Sequence, residues 1–248
     1  MNRLKRKRAL ITGGTSGIGL ETARLFINEG ARVAISGQSR ASVEGARAEL
    51  GGEVFGFASD SSDVAQQKEL AKKAADALGQ IEILVINAGI AELKPVDAWD
   101  EAAYNRTFDI NVRGPFFLIQ SLLPVFTNPA SVVLNASINA HVGMPNTSVY
   151  GASKAALVSL TRTLSGELVS RGIRVNAVSP GPVETPLYNK LGLSGSDLKS
   201  VSDSIVNLVP VKRFGKPSEI AHAILFLASD EAAFTVGGEL IIDGGLGL

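Results

Sequence analysis

Seven short apolar runs, each separated from the next by a longer and more polar stretch, constrain this chain more than any other feature. They are Ala9-Leu10-Ile11, Val33-Ala34-Ile35, Val54-Phe55-Gly56-Phe57, Ile83-Leu84-Val85-Ile86, Val132-Val133-Leu134, Val175-Asn176-Ala177-Val178 and Leu240-Ile241-Ile242. A strand with one wet face alternates apolar and polar side chains, whereas a run that is apolar at nearly every position needs cover on both faces. Between the runs lie segments with apolar residues at helical spacing, most clearly Gly17–Asn28, Val64–Leu78 and 149–170. Gly30 and Gly172 follow two of these segments, where a left-handed helix cap is wanted. Strand–helix alternation with right-handed crossovers builds a parallel sheet between helix layers. The expected fold is α/β: a single-domain Rossmann-type doubly wound parallel sheet of about seven strands with helices on both faces.

The 248 residues suit one large α/β domain or two small ones. No long linker, repeat or low-complexity tract divides them, so residues 1–248 read as a single domain. A hydrophobic content of 45% argues against disorder. Lys+Arg and Asp+Glu both number 24, so no net field favours nucleic acid or an anionic membrane. The basic cluster Lys5-Arg6-Lys7-Arg8 abuts a strand, where a short charge run reads as a solvated edge. Cysteine is absent, which excludes disulfides and thiolate chemistry. His141 and His222 are far apart and lack a neighbouring ligand pattern, so no metal site is expected. The apolar run after the basic start breaks at Gly13-Gly14, and no run reaches the length of a membrane span. A cytoplasmic protein with neither nucleic-acid nor membrane partners is expected.

The sixth run is followed by a long excursion, residues 181–215, with short amphipathic pieces around Leu198 and Ile205. Long connections at the carboxyl end of a strand are more often functional than accidental. This one is expected to be a substrate-binding lid.

The first run leads through Thr12-Gly13-Gly14-Thr15-Ser16-Gly17-Ile18-Gly19 into a helix. Such glycines permit a tight turn, a close approach of backbone to a pyrophosphate, and helix packing on strand. The helix that follows offers free N–H groups and the positive end of its dipole. The competing reading is a glycine-rich turn that binds nothing. The second run ends Ser36-Gly37-Gln38-Ser39-Arg40, with no acidic residue before Glu44 to hold both ribose hydroxyls. Ser36, Ser39 and Arg40 would instead favour a 2′-phosphate, with Gln38 among them donating without carrying charge, hence NADP(H) preferred and NAD(H) possible. Aspartate at Gly37 is then expected to reverse the preference. Arg40 also reads as a solvated charge opening a helix.

Tyr150 and Lys154 are four residues apart in a helical segment, so they share a face. A phenol of ordinary pKa near 10 is a poor base at neutral pH, and a nearby ammonium is expected to lower it toward the range of acid–base work. Ser137 closes the fifth run, where a hydroxyl points into the ligand crevice of such sheets and can bond an oxygen that gains charge. A helix-surface lysine and a turn serine are the plain alternatives.

Together these pieces resemble the short-chain dehydrogenase/reductase family over essentially the whole chain. The matching segments are Thr12–Gly19, Asp60-Ser61, Asn87-Ala88-Gly89, Asn111, Ser137, Tyr150-x-x-x-Lys154, Pro180-Gly181 and Thr185, in the family's order and spacing. The resemblance implies an NAD(P)(H)-dependent oxidoreductase that interconverts a ketone or aldehyde and an alcohol. It implies that Tyr150 is the general acid or base and that Ser137 polarises the carbonyl. Lys154 would bind the nicotinamide ribose and tune Tyr150, and Asn111 would hold a relay water. Gly13, Thr15, Ser16, Gly17, Ile18 and Gly19 would form the phosphate loop. Asp60 and Ser61 would contact adenine, and Asn87, Ala88 and Gly89 the adenosine ribose and nearby backbone. Pro180, Gly181, Val183 and Thr185 would lie at the nicotinamide end. One departure bears on the cofactor: Gln38 stands where NADP-using members commonly carry arginine.

Asn139, His141 and Tyr188 are candidates for substrate contact, His141 also reading as a loop residue facing solvent. Trp99 and Phe108 read as packing residues. Gly114-Pro115-Phe116-Phe117-Leu118 and the apolar side of 149–170 are expected either in the core or in a helix–helix subunit contact, and the family tilts the expectation to a homotetramer. Two other functions stay open. A 3-oxoacyl-thioester reductase of fatty-acid synthesis would need a basic docking surface for an acidic carrier, whereas Lys190, Lys199, Lys212 and Arg213 are scattered. A non-catalytic dinucleotide sensor would predict a degraded Ser/Tyr/Lys set, and this one is intact.

Overall fold

The computed structural model describes residues 2–185 and 195–248. Seven strands form one sheet: β1 (Arg8–Ile11), β2 (Arg32–Gly37), β3 (Phe55–Ala58), β4 (Ile81–Ile86), β5 (Phe126–Asn135), β6 (Ile173–Pro180) and β7 (Glu239–Ile242). Their order is β3-β2-β1-β4-β5-β6-β7, and every neighbouring pair is parallel. The chain starts in mid-sheet, builds outward to β3, then crosses back to lay β4 against β1. That reversal opens a crevice beyond the carboxyl ends of β1 and β4.

Eight α-helices are described: α1 (Gly17–Asn28), α2 (Arg40–Leu50), α3 (Val64–Leu78), α4 (Glu101–Phe108), α5 (Gly114–Leu122), α6 (Ser148–Leu168), α7 (Gly195–Leu208) and α8 (Pro217–Ala228). Successive strand residues point to opposite faces. Leu10, Leu84 and Ile86 accordingly pack with α3, α5 and α6, whereas Ala9, Ile11, Ile83 and Val85 pack with α1, α2 and α8. Ile83, Leu84 and Val85 are fully buried, each such side chain contributing about 1.5–3 kcal/mol. Burial on both sides explains why the runs lack alternation.

Local signals place the helices. Ser39 Oγ accepts the Ser42 amide at the start of α2, and the Asp63 carboxylate accepts the amides of Ala65 and Gln66 at the start of α3. Gly30 and Gly172 take the left-handed backbone expected of them, with φ of 87° and 71°. One expectation changes and one alternative is decided. The pieces around Leu198 and Ile205 belong to one helix, α7. In α5, Pro115, Leu118 and Ile119 are buried, as are Leu157, Val158 and Leu164 of α6. These side chains belong to the protomer's own core, because both helices lie against the sheet. In the basic cluster, Lys7 pairs with Asp230 and Arg8 with Glu82. No described helix is long and apolar enough to cross a membrane.

Candidate active site

A cleft of about 470 Å³ lies beyond the carboxyl ends of the strands, walled by the β1–α1 turn, the ends of β2, β4, β5 and β6, and the start of α6. The β1–α1 turn is shaped for close approach. Gly13 and Gly17 have φ of 62° and 52°. A Cβ on Gly19 would stand 2.1 Å from the Gly13 carbonyl oxygen, so this glycine lets the turn fold onto its own helix and is not a wall of the cleft. Ser16 precedes α1 in extended backbone and makes no side-chain cap, so the helix begins with its amides uncapped. Ser16, Gly17 and Ile18 all border the cleft, as do Thr15 and Gly13.

Buried Thr12 fastens this turn to the end of β4: its hydroxyl accepts the amides of Asn87 and Ala88. Asn87 Nδ2 returns hydrogen bonds to the carbonyls of Thr12 and Gly13. Gly89 stays bare because a Cβ there would meet Asn111 Oδ1 at 3.1 Å and Lys154 Nζ at 3.4 Å. At the second strand Ser36 and Gln38 border the cleft, but Ser39 and Arg40 do not. Ser39 is occupied capping α2, and Arg40 is exposed without an ion pair among the described residues. Asp60 and Ser61 border the cleft; the Asp60 carboxylate is turned into a local loop by the amide and hydroxyl of Ser62.

Tyr150, Ser137 and Lys154 converge at the far end. Lys154 is 5% exposed. Its Nζ donates to the Asn135 carbonyl at 2.7 Å and lies 5.8 Å from the Tyr150 ring centre. Burial without a carboxylate partner pulls this ammonium down to about 8. Burial likewise pushes the Tyr150 phenol up from its ordinary value, and the Ser137 hydroxyl pulls it back only in part. The expected lowering of Tyr150 by Lys154 is therefore reversed: desolvation of the phenolate dominates, and the only opposing contribution is the Ser137 hydroxyl. The Ser137 hydroxyl accepts the Asn139 amide at 3.2 Å.

Asn111 is fully buried inside a π-helical turn, Asp109–Arg113. Its side chain bonds the amide and carbonyl of Ile90 and the Ser153 hydroxyl, and it does not reach the cleft surface. Pro180, Gly181, Val183 and Thr185 line the wall beyond β6, pinned at the root where Val183 bridges Gly215. Asn139 borders the cleft, but His141 does not: it is an exposed loop residue, as its alternative reading held, with its ring against Glu239 on β7 at 2.5 Å. Tyr188 lies outside the described residues.

The donor set fits a nicotinamide dinucleotide. Bare glycines and uncapped amides suit a pyrophosphate, and a buried lysine with a tyrosine suits the ribose and the reacting oxygen. A family model described as enoyl-(acyl carrier protein) reductase matches residues 13–247. A 3-oxoacyl-[acyl-carrier-protein] reductase of Thermotoga maritima is 37% identical over 98% of this chain and 99% of its own. A D-threitol dehydrogenase of Mycolicibacterium smegmatis is 38% identical, covering 98% and 94%. A Brucella melitensis structure titled short-chain dehydrogenase/reductase SDR:glucose/ribitol dehydrogenase superposes with a TM-score of 0.92 at 36% identity, covering 98% of each chain.

The chain belongs to the short-chain dehydrogenase/reductase family. It is an NAD(P)-dependent oxidoreductase acting between a carbonyl and an alcohol. Within this dehydrogenase/reductase the sequence reading passed over several residues that shape the site. Asn135 holds Lys154 through its carbonyl and bonds Asn87 through its side chain, so it joins the lysine to the glycine turn. A polar residue ending an apolar run was the available signal. Gly114 lets α5 touch the Ser61 carbonyl, where a Cβ would sit 1.8 Å away. Leu246 closes the cleft from a segment distant in sequence, and nothing local marks it, whereas Ile205 and Leu208 of α7 close it from within the 181–215 excursion.

Proposed function

We propose that this enzyme is an NADP(H)-preferring reductase of small ketones or aldehydes that also runs as an alcohol dehydrogenase, with Ser137, Tyr150, Lys154 and Asn111 as its proton-handling set. The convergence of Tyr150, Ser137 and Lys154 on the cleft opposite the uncapped start of α1 carries the reading. The dinucleotide, when bound, supplies or accepts the hydride. Tyr150, kept protonated at neutral pH by burial, donates a proton to the carbonyl oxygen, and Ser137 donates a hydrogen bond to the same oxygen. Lys154 keeps N–H groups for ribose hydroxyls while Asn135 holds it. The Asn111 side chain is fully committed, so its main-chain carbonyl is the group left to hold a relay water.

Gly13, Thr15, Ser16, Gly17 and Ile18 cradle the pyrophosphate, with Gly19 supporting the turn from behind. Asp60 and Ser61 flank adenine, Asn87, Ala88 and Gly89 its ribose, and Pro180, Gly181, Val183 and Thr185 the nicotinamide. Gln38 and Ser36 border the place of the 2′-phosphate, whereas Arg40 lies outside the cleft and meets the phosphate only on turning its exposed side chain inward. Ser39 acts only by capping the helix that carries Arg40. The chain is one domain, with 181–215 as its lid, and works in the cytoplasm, where the dinucleotide pool lies. Exposed Phe234, Val236, Ile241 and Leu248 around the edge strand β7 supply an apolar surface for assembly into a homotetramer.

A small substrate is favoured over a carrier-bound 3-oxoacyl chain. Arg213 is paired with Glu219, and Lys212 donates to the Asn207 carbonyl, so these cations are engaged within the protein rather than arrayed for an acidic carrier. The test is a steady-state panel of ketones, alcohols and 3-oxoacyl thioesters with NADPH and NADH. Turnover of free ketones with NADPH at the higher kcat/KM supports the proposal. Turnover confined to thioesters overturns the substrate assignment, and equal or better kcat/KM with NADH overturns the cofactor preference.

A further inference from the structure

The Glu239 carboxylate, at the start of β7, makes contacts that the reaction outlined above does not use. Its side chain is only 12% exposed. Oε1 meets two partners at 2.5 Å each, the His141 ring and the Ser179 hydroxyl. These partners stand behind different walls of the cleft without lining it. His141 ends the 3-10 turn Ile138–Ala140 that follows Ser137; its amide closes the turn on the Ile138 carbonyl. Ser179 is fully buried and directly precedes Pro180 and Gly181, and the Gly181 amide bonds Ile242 of the same strand β7.

One carboxylate thus joins the turn that carries Ser137 to the root of the 181–185 wall. Exposed ion pairs are weak because water competes for both partners. Here His141 is open to water on one side, but the fully buried Ser179 hydroxyl and the mostly covered carboxylate limit that competition from the other. The turn's own hydrogen bonds fix its shape, and the Ala136 amide on the Val178 carbonyl ties only its entry to β6, leaving its exit at His141 to be held from elsewhere. Glu239 and His141 supply that second constraint.

We propose that Glu239 is a positioning residue: through His141 and Ser179 it clamps the serine turn against the β6 wall and so sets where the Ser137 hydroxyl meets the substrate oxygen. The proposal rests on Ser137 as the carbonyl-polarising hydroxyl. Loss of the clamp changes the chemical step and not dinucleotide binding. A displacement near 1 Å in a reacting array can cost up to about a hundredfold, and partial release of one turn is expected to cost about tenfold in kcat.

The experiment compares Glu239→Ala, Glu239→Gln, His141→Ala and the Glu239→Ala/His141→Ala double variant of the full chain. Amide exchange at residues 139–142 and NADPH affinity are measured on each, with kcat on the best ketone of the panel. Glu239→Ala should speed exchange in this turn and lower kcat about tenfold while NADPH affinity stays within twofold. Glu239→Gln keeps an acceptor for both partners and should restore most of kcat. The double variant should lose no more than Glu239→Ala alone, because both act through one link. Exchange unchanged in Glu239→Ala overturns the clamp whatever the activity, so it is distinguishable from failure of the oxidoreductase reading. Faster exchange with unchanged kcat, or independent losses that multiply, also overturns it. Should Glu239→Ala not fold, His141→Ala carries the same two readouts, and parent-like values in it overturn the proposal.

Discussion

Tyr150 and Lys154 are each shifted by burial toward their neutral form, and this has consequences for rate and for stability. Tyr150→Phe removes the proton donor without disturbing the glycine turn, so NADPH affinity should stay near the parent while kcat falls about 10²–10⁴-fold, as steady-state and binding measurements would show. Lys154 has a folded-state pKa of about 8 against an ordinary 10.5. Between these values the unfolded chain holds more protons than the folded one, so stability rises with pH across that window. Below about pH 8 the cost of the buried charge is fully present. Lys154→Met should therefore raise Tm at pH 7 in the dinucleotide-free protein, by more than at pH 9.5, while turnover is lost. An equal change at both pH values would contradict the buried-charge account. The second strand's end calls for a different substitution from the one its sequence suggests. Gly37 has no room for aspartate, since a Cβ would lie 2.5 Å from Thr15 Cγ2 in the glycine turn. Exposed Gln38 has room and borders the cleft. Gln38→Asp should move the NADPH/NADH kcat/KM ratio about tenfold or more toward NADH, as one charge-assisted hydrogen bond of about 1.5–3 kcal/mol is exchanged for repulsion.

At the scale of elements, the β1–α1 turn and α7 show opposite designs. The turn is over-determined: Gly19 faces the Gly13 carbonyl, and Thr12 and Asn87 lock it to β4. Gly19→Ala has to displace backbone, so NADPH affinity should fall more than tenfold, by analogy with the large effects of misplaced binding groups, and calorimetry would measure it. α7 instead presents Ile205 and Leu208 to the cleft, and Leu208 is 62% exposed. A helix with an apolar residue so exposed gains cover when a ligand fills the space beneath it. Amide exchange over 202–208 should slow when NADPH and a substrate analogue are both present. Equal protection with and without them would remove the lid assignment.

For the whole molecule, the exposed apolar set around β7 predicts an assembly that a single charge weakens: Ile241→Lys should shift the protein to smaller species in sedimentation, whereas a parent that already sediments as a monomer would end the tetramer proposal. How much was legible follows from the range of each interaction. The seven runs, the limits of α1 and α3, and the left-handed Gly30 and Gly172 were readable, because backbone preference and burial period act over a few neighbouring residues. The Tyr150–Lys154 face and Ser137 were readable too, since each occupies a fixed place on one element. Tertiary structure decided the rest. It placed His141 on Glu239, 98 residues away, and joined Asn135 to both Lys154 and Asn87. It also reversed the expected shift of Tyr150, because desolvation depends on everything packed around a group and not on the lysine one turn along the helix. Sequence by itself determined which residues sit on which element and which way each strand faces; only the packing of distant elements decided which side chains meet and how far each is removed from water.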